Sequence, residues 1–210
     1  MDTTEPSSRR GRPLTRNREH VLEVAMNAFW QADSAAVSVN TICTLAEVSK
    51  PSLYRDFGSE DGLTTAVLER YAQTVLGSVE GMLASPASFA TKFQAMTAFA
   101  SQDPRMEAGC LFVKMRTTRS RFGAQTQAKI AAIEAHFLSC YTRFFREGAA
   151  SGEWGSGIDA ELAAGYLYEQ LGLAVSQRAS GKNPESVGAL LGLAMSALLR
   201  PKNAGQVASD

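Results

Sequence analysis

Residues 42–57 read ICTLAEVSKPSLYRDF, and this stretch constrains the fold more than any other. Ser38 can cap a short helix through Ala46, in which Val39, Ile42 and Leu45 recur every third residue on one face. Glu47 and Val48 make a tight turn. Ser49 then caps a second short helix, with Pro51 in its first turn, where a missing N–H is tolerated. Leu53 and Phe57, four apart, face inward; Lys50, Ser52, Tyr54 and Arg55 are left on the outside or the rim, and Gly58 stops the helix. Two short helices of this kind hold the second one out from a small core. The surface that fits such a helix is the major groove of DNA.

The flanking segments complete a small helical unit. Val21, Val24, Ala25, Ala28 and Phe29 form a helical stripe between Arg16 and Ala32. Ser59 caps a fourth helix whose first turn carries Glu60 and Asp61, where the helix dipole favours acids. Leu63, Val67 and Tyr71 mark its buried side, and the pattern extends to about Leu83. The chain carries 21 basic and 21 acidic residues, so any affinity for nucleic acid must come from a local patch. Arg9, Arg10, Arg12, Arg16 and Arg18 supply one, with no acid among them. They read either as a solvated tail or as an arm that follows phosphates.

Beyond Pro86 the pattern stays helical. Phe89, Phe93, Met96 and Phe99 form one stripe, broken at Asp103-Pro104. Met106, Cys110, Val113 and Met115 form a shorter one, and Ile130, Ile133, Phe137, Tyr141 and Phe144 a long one. Gly148, Gly152, Gly155 and Gly157 read as a loop. Asp159 starts the next helix, on which Gly165 and Gly172 would permit close helix contact, and Asn183-Pro184 opens the last. No segment alternates long enough for a strand. The expected fold is all-α, with a flexible basic arm over 1–13, a DNA-binding domain over 14–74 and a helical ligand-binding and dimerisation domain over 75–210.

Several function classes are excluded by what is missing. No apolar run reaches the roughly 20 residues of a membrane helix, and the polar N-terminus does not read as a signal peptide. Three cysteines with no CxxC fit a reducing, cytoplasmic setting. His20 and His136 are solitary, and no HExxH, GxxxxGK[ST] or GxSxG occurs, so no catalytic residue, metal site or cofactor is assigned.

Residues 16–71 resemble the N-terminal domain of the TetR family of bacterial transcriptional regulators. The likeness rests on REHVLEVAMNAFWQ, AVSVNTI, VSKPSLYRDF and GSEDGL, with SLYxxFGS the most specific part. RRGRP at 9–13 is similar to a basic arm in many members, and GCLFV at 109–113 to a segment of their ligand domain. The chain departs from the pattern at Glu47, where Gly is usual in the turn; at Asp33-Ser34, where Gly and an aromatic are frequent; and at Asp56 and Glu60, two acids near the expected phosphate path.

The resemblance implies a homodimer on a palindromic double-stranded operator, with Lys50, Pro51, Ser52 and Arg55 toward bases or nearby phosphates. Tyr54 and Thr41 would hold phosphates, and Arg10 and Arg12 would serve the arm. Helices over about 158–199 would pair with the mate. Candidates for a small, largely apolar or aromatic effector are Phe93, Met96, Phe99, Met106, Cys110, Phe112, Phe137, Tyr141, Phe144 and Tyr166. Each also reads as ordinary core. The expected function is a repressor released by that effector. The alternatives are a thiol sensor using Cys110, activated by Lys114 and Arg116, and a helical enzyme or carrier without DNA binding. The cluster Lys114, Arg116, Arg119 and Arg121 reads as an anion site or a solvated face.

Overall fold

Serine hydroxyls open four of the helices, each accepting a backbone N–H three residues on: Ser38 from Thr41 at 3.1 Å, Ser49 from Ser52 at 3.4 Å, Ser59 from Gly62 at 3.0 Å and Ser88 from Thr91 at 3.2 Å. These caps fix where the chain turns. The structure, a computed structural model, describes residues 14–32 and 37–199, with side chains from Arg18 onward. The arm over 1–13, the pair Asp33-Ser34 and the segment 200–210 lie outside the described residues.

The described residues form α-helices throughout: α1 Leu14–Gln31, α2 Val39–Leu45, α3 Lys50–Phe57, α4 Glu60–Tyr71, α5 Gly77–Ala84, α6 Phe89–Gln102, α7 Leu111–Thr117, α8 Ala124–Ser151, α9 Ala160–Ala179 and α10 Pro184–Leu199. The fold is all-α, as the periodicities predict. α1 to α4 enclose a small core in which Ala25, Ile42, Leu53 and Val67 are fully buried. In the remaining helices α8 packs on α9, and α10 closes over α6 and α9. An aromatic cluster pins the far end. Phe89 stacks on Phe144 at 4.4 Å, Trp154 packs on Phe145 at 4.7 Å, and the Trp154 indole donates to the Leu198 carbonyl at 2.7 Å.

Three expectations need correction. The fourth helix reaches Ala84, close to the expected Leu83, but not as a plain α-helix: a π-helical turn over Ala72–Leu76 lies between α4 and α5. Tyr71, Val75, Leu76 and Val79 stay buried along it. Gly148 is not loop but the buried end of α8, and a Cβ there would sit 2.5 Å from the Phe89 ring. Met106, Cys110 and Val113 do not share one helix. Met106 ends a 3₁₀ turn, and Gly109 at φ +80° redirects the chain before α7 begins at Leu111. A Cβ on Gly109 would also lie 2.7 Å from that of Ala179, so this bend needs glycine twice over.

Two seams join the N-terminal helices to the rest. The Asp61 carboxylate crosses from α4 to cap α8, accepting from the Gln125 and Thr126 amides at 2.9 and 3.1 Å and from the Thr126 hydroxyl at 2.6 Å. Sequence pattern had assigned Asp61 only to its own helix. At the second seam the Trp30 indole donates to the Gly109 carbonyl at 2.7 Å, and Lys114 Nζ donates back to the Trp30 carbonyl.

Candidate nucleic-acid interface and internal cavity

The α3 surface is set by one residue facing each way. Leu53 is fully buried, and that anchor turns Lys50, Pro51 and Arg55 outward, all exposed. Ser52 and Tyr54 are half-buried on the flanks, and Thr41 is exposed on α2, its hydroxyl 2.9 Å from that of Ser38. The six described candidates therefore lie on α2 and α3 around one outward edge; Arg10 and Arg12 lie outside the described residues. The Arg55 guanidinium lies along its own helix, donating to the Ser52 hydroxyl at 2.8 Å and to Asp56 at 3.4 Å. Asp56 is largely turned inward, one carboxylate oxygen buried with no partner. That acid therefore sits beside Arg55 rather than across a phosphate path. Arg18 reaches α3 from α1, its guanidinium 4.9 Å above the Phe57 ring.

The turn before α3 keeps its tight geometry despite lacking glycine. Glu47 takes φ +54°, the only positive φ at a non-glycine among the described residues. The left-handed conformation strains an L residue by roughly 1–2 kcal/mol.

A cavity of about 70 Å³ lies inside the second group of helices. Seven of the ten effector candidates line it: Met96, Phe99 and Met106 from the α6 side, Cys110 and Phe112 at α7, Phe137 and Tyr141 from α8. Three lie elsewhere. Phe93 stacks on Phe89, Phe144 belongs to the aromatic cluster, and the Tyr166 hydroxyl donates to the Ala194 carbonyl at 3.1 Å, bracing α9 against α10. The same wall also carries Tyr168, which sequence reasoning did not single out, together with Arg116 and Gly172, which it had placed in a basic cluster and at a helix contact. At Gly172 a Cβ would meet Arg116 and Val113 of α7 at ordinary contact distances of 3.5 and 4.0 Å; Gly165 faces open space.

Of the four basic residues read as an anion site or a solvated face, Arg119 and Arg121 are exposed, while Arg116 and Lys114 turn to partners within the fold. Arg116 grips Glu169 through both carboxylate oxygens at 2.8 and 3.0 Å, lies 3.5 Å from Glu134 and stacks 4.7 Å over the Tyr168 ring. The bond from Arg116 holds the Glu169 carboxyl below its ordinary range, despite partial burial. Lys114 turns instead to Trp30. Cys110 is fully enclosed, and burial pushes its thiol up, outweighing Tyr71, nearby amides and Arg116, which all pull it down. The activation expected from Lys114 and Arg116 is thus overruled by desolvation.

Two further surfaces stand out. Leu162 and Leu173 on α9, and Leu190 and Leu193 on α10, are each half or more exposed, Leu193 at 72%. A polar cleft between α5, α6 and α8 holds His136, bonded to Glu80 at 2.8 Å, with the Cys140 sulfur 3.6 Å away. Among the described residues no set of three His, Cys, Asp or Glu side chains is placed to hold a metal, and no helix is long and apolar enough to cross a membrane.

A short capped helix offered outward from a thin core, seamed to a larger helical body with an internal cavity, defines a helix-turn-helix protein. Residues 21–67 match the sequence profile of the bacterial regulatory proteins of the TetR family. It is 32% identical over 117 residues to the HTH-type transcriptional repressor ComR of Escherichia coli K12. That match covers 53% of this chain and 55% of the relative, so the chain spans about half the length of that protein. The fold is similar to the regulatory protein TetR from Rhodobacter sphaeroides, with a TM-score of 0.76 and 16% identity over 86% of this chain and 98% of the other. It is also similar to the TetR-family regulator CifR solved on a 26-base-pair operator DNA, with a TM-score of 0.70 and 23% identity over 90% and 99% of the two chains.

Proposed function

We propose that this chain is a sequence-specific DNA-binding transcriptional regulator, a repressor that leaves its operator when a small, largely apolar molecule enters the cavity. The observation that carries the reading is the α3 edge: a fully buried Leu53 holding Lys50, Pro51 and Arg55 out to solvent. Residues 14–74 form the DNA-reading part and 75–210 the part that binds effector and mate, with 1–13 as a basic arm along phosphates. Relatives described as transcriptional repressors, and a neighbour solved on operator DNA, support this.

Two recognition helices presented by a two-fold dimer would meet half-sites about 34–36 Å apart, so the operator is palindromic. The exposed leucines of α9 and α10 suit the mate. Trp30 and Asp61 would couple the parts, since α7 carries both a cavity wall and Lys114, which bonds to Trp30. An occupant that moves α7 would shift the α1 to α4 unit away from the DNA-fitting arrangement. The protein acts in the cytoplasm, without a cofactor and without catalysis.

The test is selection of bound sequences from random duplex DNA, followed by anisotropy titration at two salt concentrations. A palindromic consensus bound at least a thousandfold tighter than random duplex supports the reading. Equal affinity for all duplexes would make the protein architectural, and no binding at low salt would make α3 merely structural.

A further inference from the structure

Apart from sulfur, the cavity presents three polar groups, and they are not alike. At one side Arg116 is already matched, its charge met by Glu169 and Glu134 and its plane covered by Tyr168. With both carboxylates ionised, that cluster carries a net negative charge. A ligand carboxylate arriving there would have to displace Glu169 from a bidentate bond and face Glu134 as well. Deeper in, Tyr141 is 95% buried, as its 5% exposure shows, and among the described residues its hydroxyl has no hydrogen-bond partner. Burial raises its phenol well above the ordinary range, with Tyr168 and Cys110 next in effect, so the group stays a neutral donor. Tyr71, outside the cavity lining, meets the Cys110 thiol from α4, its own phenol pushed up by burial first and by Cys110 next. The remaining wall is apolar, with Phe99, Phe112 and Phe137 among it.

We infer that the cavity takes a neutral, single-ring molecule whose one hydrogen-bond acceptor, a ketone or ester carbonyl, receives the Tyr141 hydroxyl. This rests on the reading of the cavity as an effector site and adds the chemistry of the effector. An unpaired buried donor is what a carbonyl satisfies and a hydrocarbon leaves unsatisfied. Size adds a second condition. An apolar cavity of about 150 Å³ holds benzene, whereas this one measures about 70 Å³. A ring therefore enters only as the wall yields, and the short helix α7, Leu111–Thr117, is the wall tied to Trp30.

Three shape-matched probes decide it: acetophenone, cumene and benzoate, titrated by calorimetry into the full-length protein and into Tyr141→Phe. In the wild type acetophenone should bind roughly tenfold tighter than cumene, with benzoate weakest. Tyr141→Phe should erase the gap between acetophenone and cumene and leave cumene unchanged. Benzoate binding tightest, a gap that survives Tyr141→Phe, or no binding of any probe would overturn the inference. If the variant does not fold, the wild-type order of the three alone decides. A parallel anisotropy reading on bound operator separates the two claims: acetophenone that binds in this order but releases no DNA refutes the effector role and leaves the ligand chemistry standing.

Discussion

The two halves of this molecule solve opposite problems with the same helices. The α1 to α4 unit has a thin core and puts charge outward, at Lys50 and Arg55, with Leu53 alone of α3 fully buried. The α6 to α10 body has a thick aromatic core and puts leucine outward, at Leu162, Leu173, Leu190 and Leu193. Exposed cations over a rigid anchor suit a polyanion; exposed leucines suit a like surface that removes them from water. What each half leaves uncovered therefore says more about its partner than what it buries.

The largest expected effect breaks the leucine half. Leu162→Glu with Leu193→Glu places charges on the proposed mate-facing surface while leaving the buried faces of α9 and α10 untouched. Sedimentation should then show a monomer. Operator affinity should fall by about 10²–10⁴-fold, because two linked recognition helices become one. A variant that stays dimeric, or a monomer that keeps its affinity, would dissolve the comparison.

The next tests the charged half. Arg55→Ala should cost about 1–3 kcal/mol of binding and relax preference at one base pair, whereas Lys50→Ala should weaken every sequence alike. Binding to a panel of single-base operator variants checks both. Uniform loss for Arg55→Ala would place it on phosphate. Arg55 must first leave Ser52 and Asp56, to which it donates at 2.8 and 3.4 Å.

How far each half was legible in the sequence follows from the same contrast. Local chemistry writes itself into local pattern. Ser38, Ser49, Ser59, Asp159 and Asn183 all cap where their residue type and neighbours predict. Contacts between distant segments leave no such mark. Nothing in the spacing joins Arg116 to Glu169, Trp30 to Gly109 or Asp61 to Thr126. Apolar periodicity shows that a residue faces inward, not whether it meets a neighbour or a void. Hence Met96 lines the cavity, while Phe93, three residues earlier on the same stripe, stacks on Phe89. Gly148 was misread because a glycine series looks like loop, and the need for a missing Cβ lies in Phe89.

The seam between the halves is the third test. Burial alone would raise the Asp61 carboxyl, but the Thr126 hydroxyl and the Gln125 and Thr126 amides outweigh it and hold it below the usual range. A lowered native value means this stabilisation is complete above the unfolded carboxylate range, from about pH 5. It is lost as pH falls through the lower native value. Asp61→Asn should therefore destabilise by roughly 0.5–2 kcal/mol near neutrality, with the deficit shrinking in acid. Thermal melts from pH 7 to pH 3 check it. A deficit that does not change with pH would mean that shape, not charge, holds this seam.

The smallest effect returns to α3 and the turn that aims it. Glu47 at φ +54° carries strain that glycine would not. Glu47→Gly should relieve roughly 1–2 kcal/mol of strain and lose roughly 0.5–1 kcal/mol to the more flexible unfolded chain. The net is a gain of at most about 1.5 kcal/mol, visible as a small rise in Tm. Glu47→Ala keeps the strain and should give no rise. If Glu47→Gly instead lowers Tm, the Glu47 side chain contributes something that outweighs its backbone, and the turn is not the simple steric joint that separates the charged half from its core.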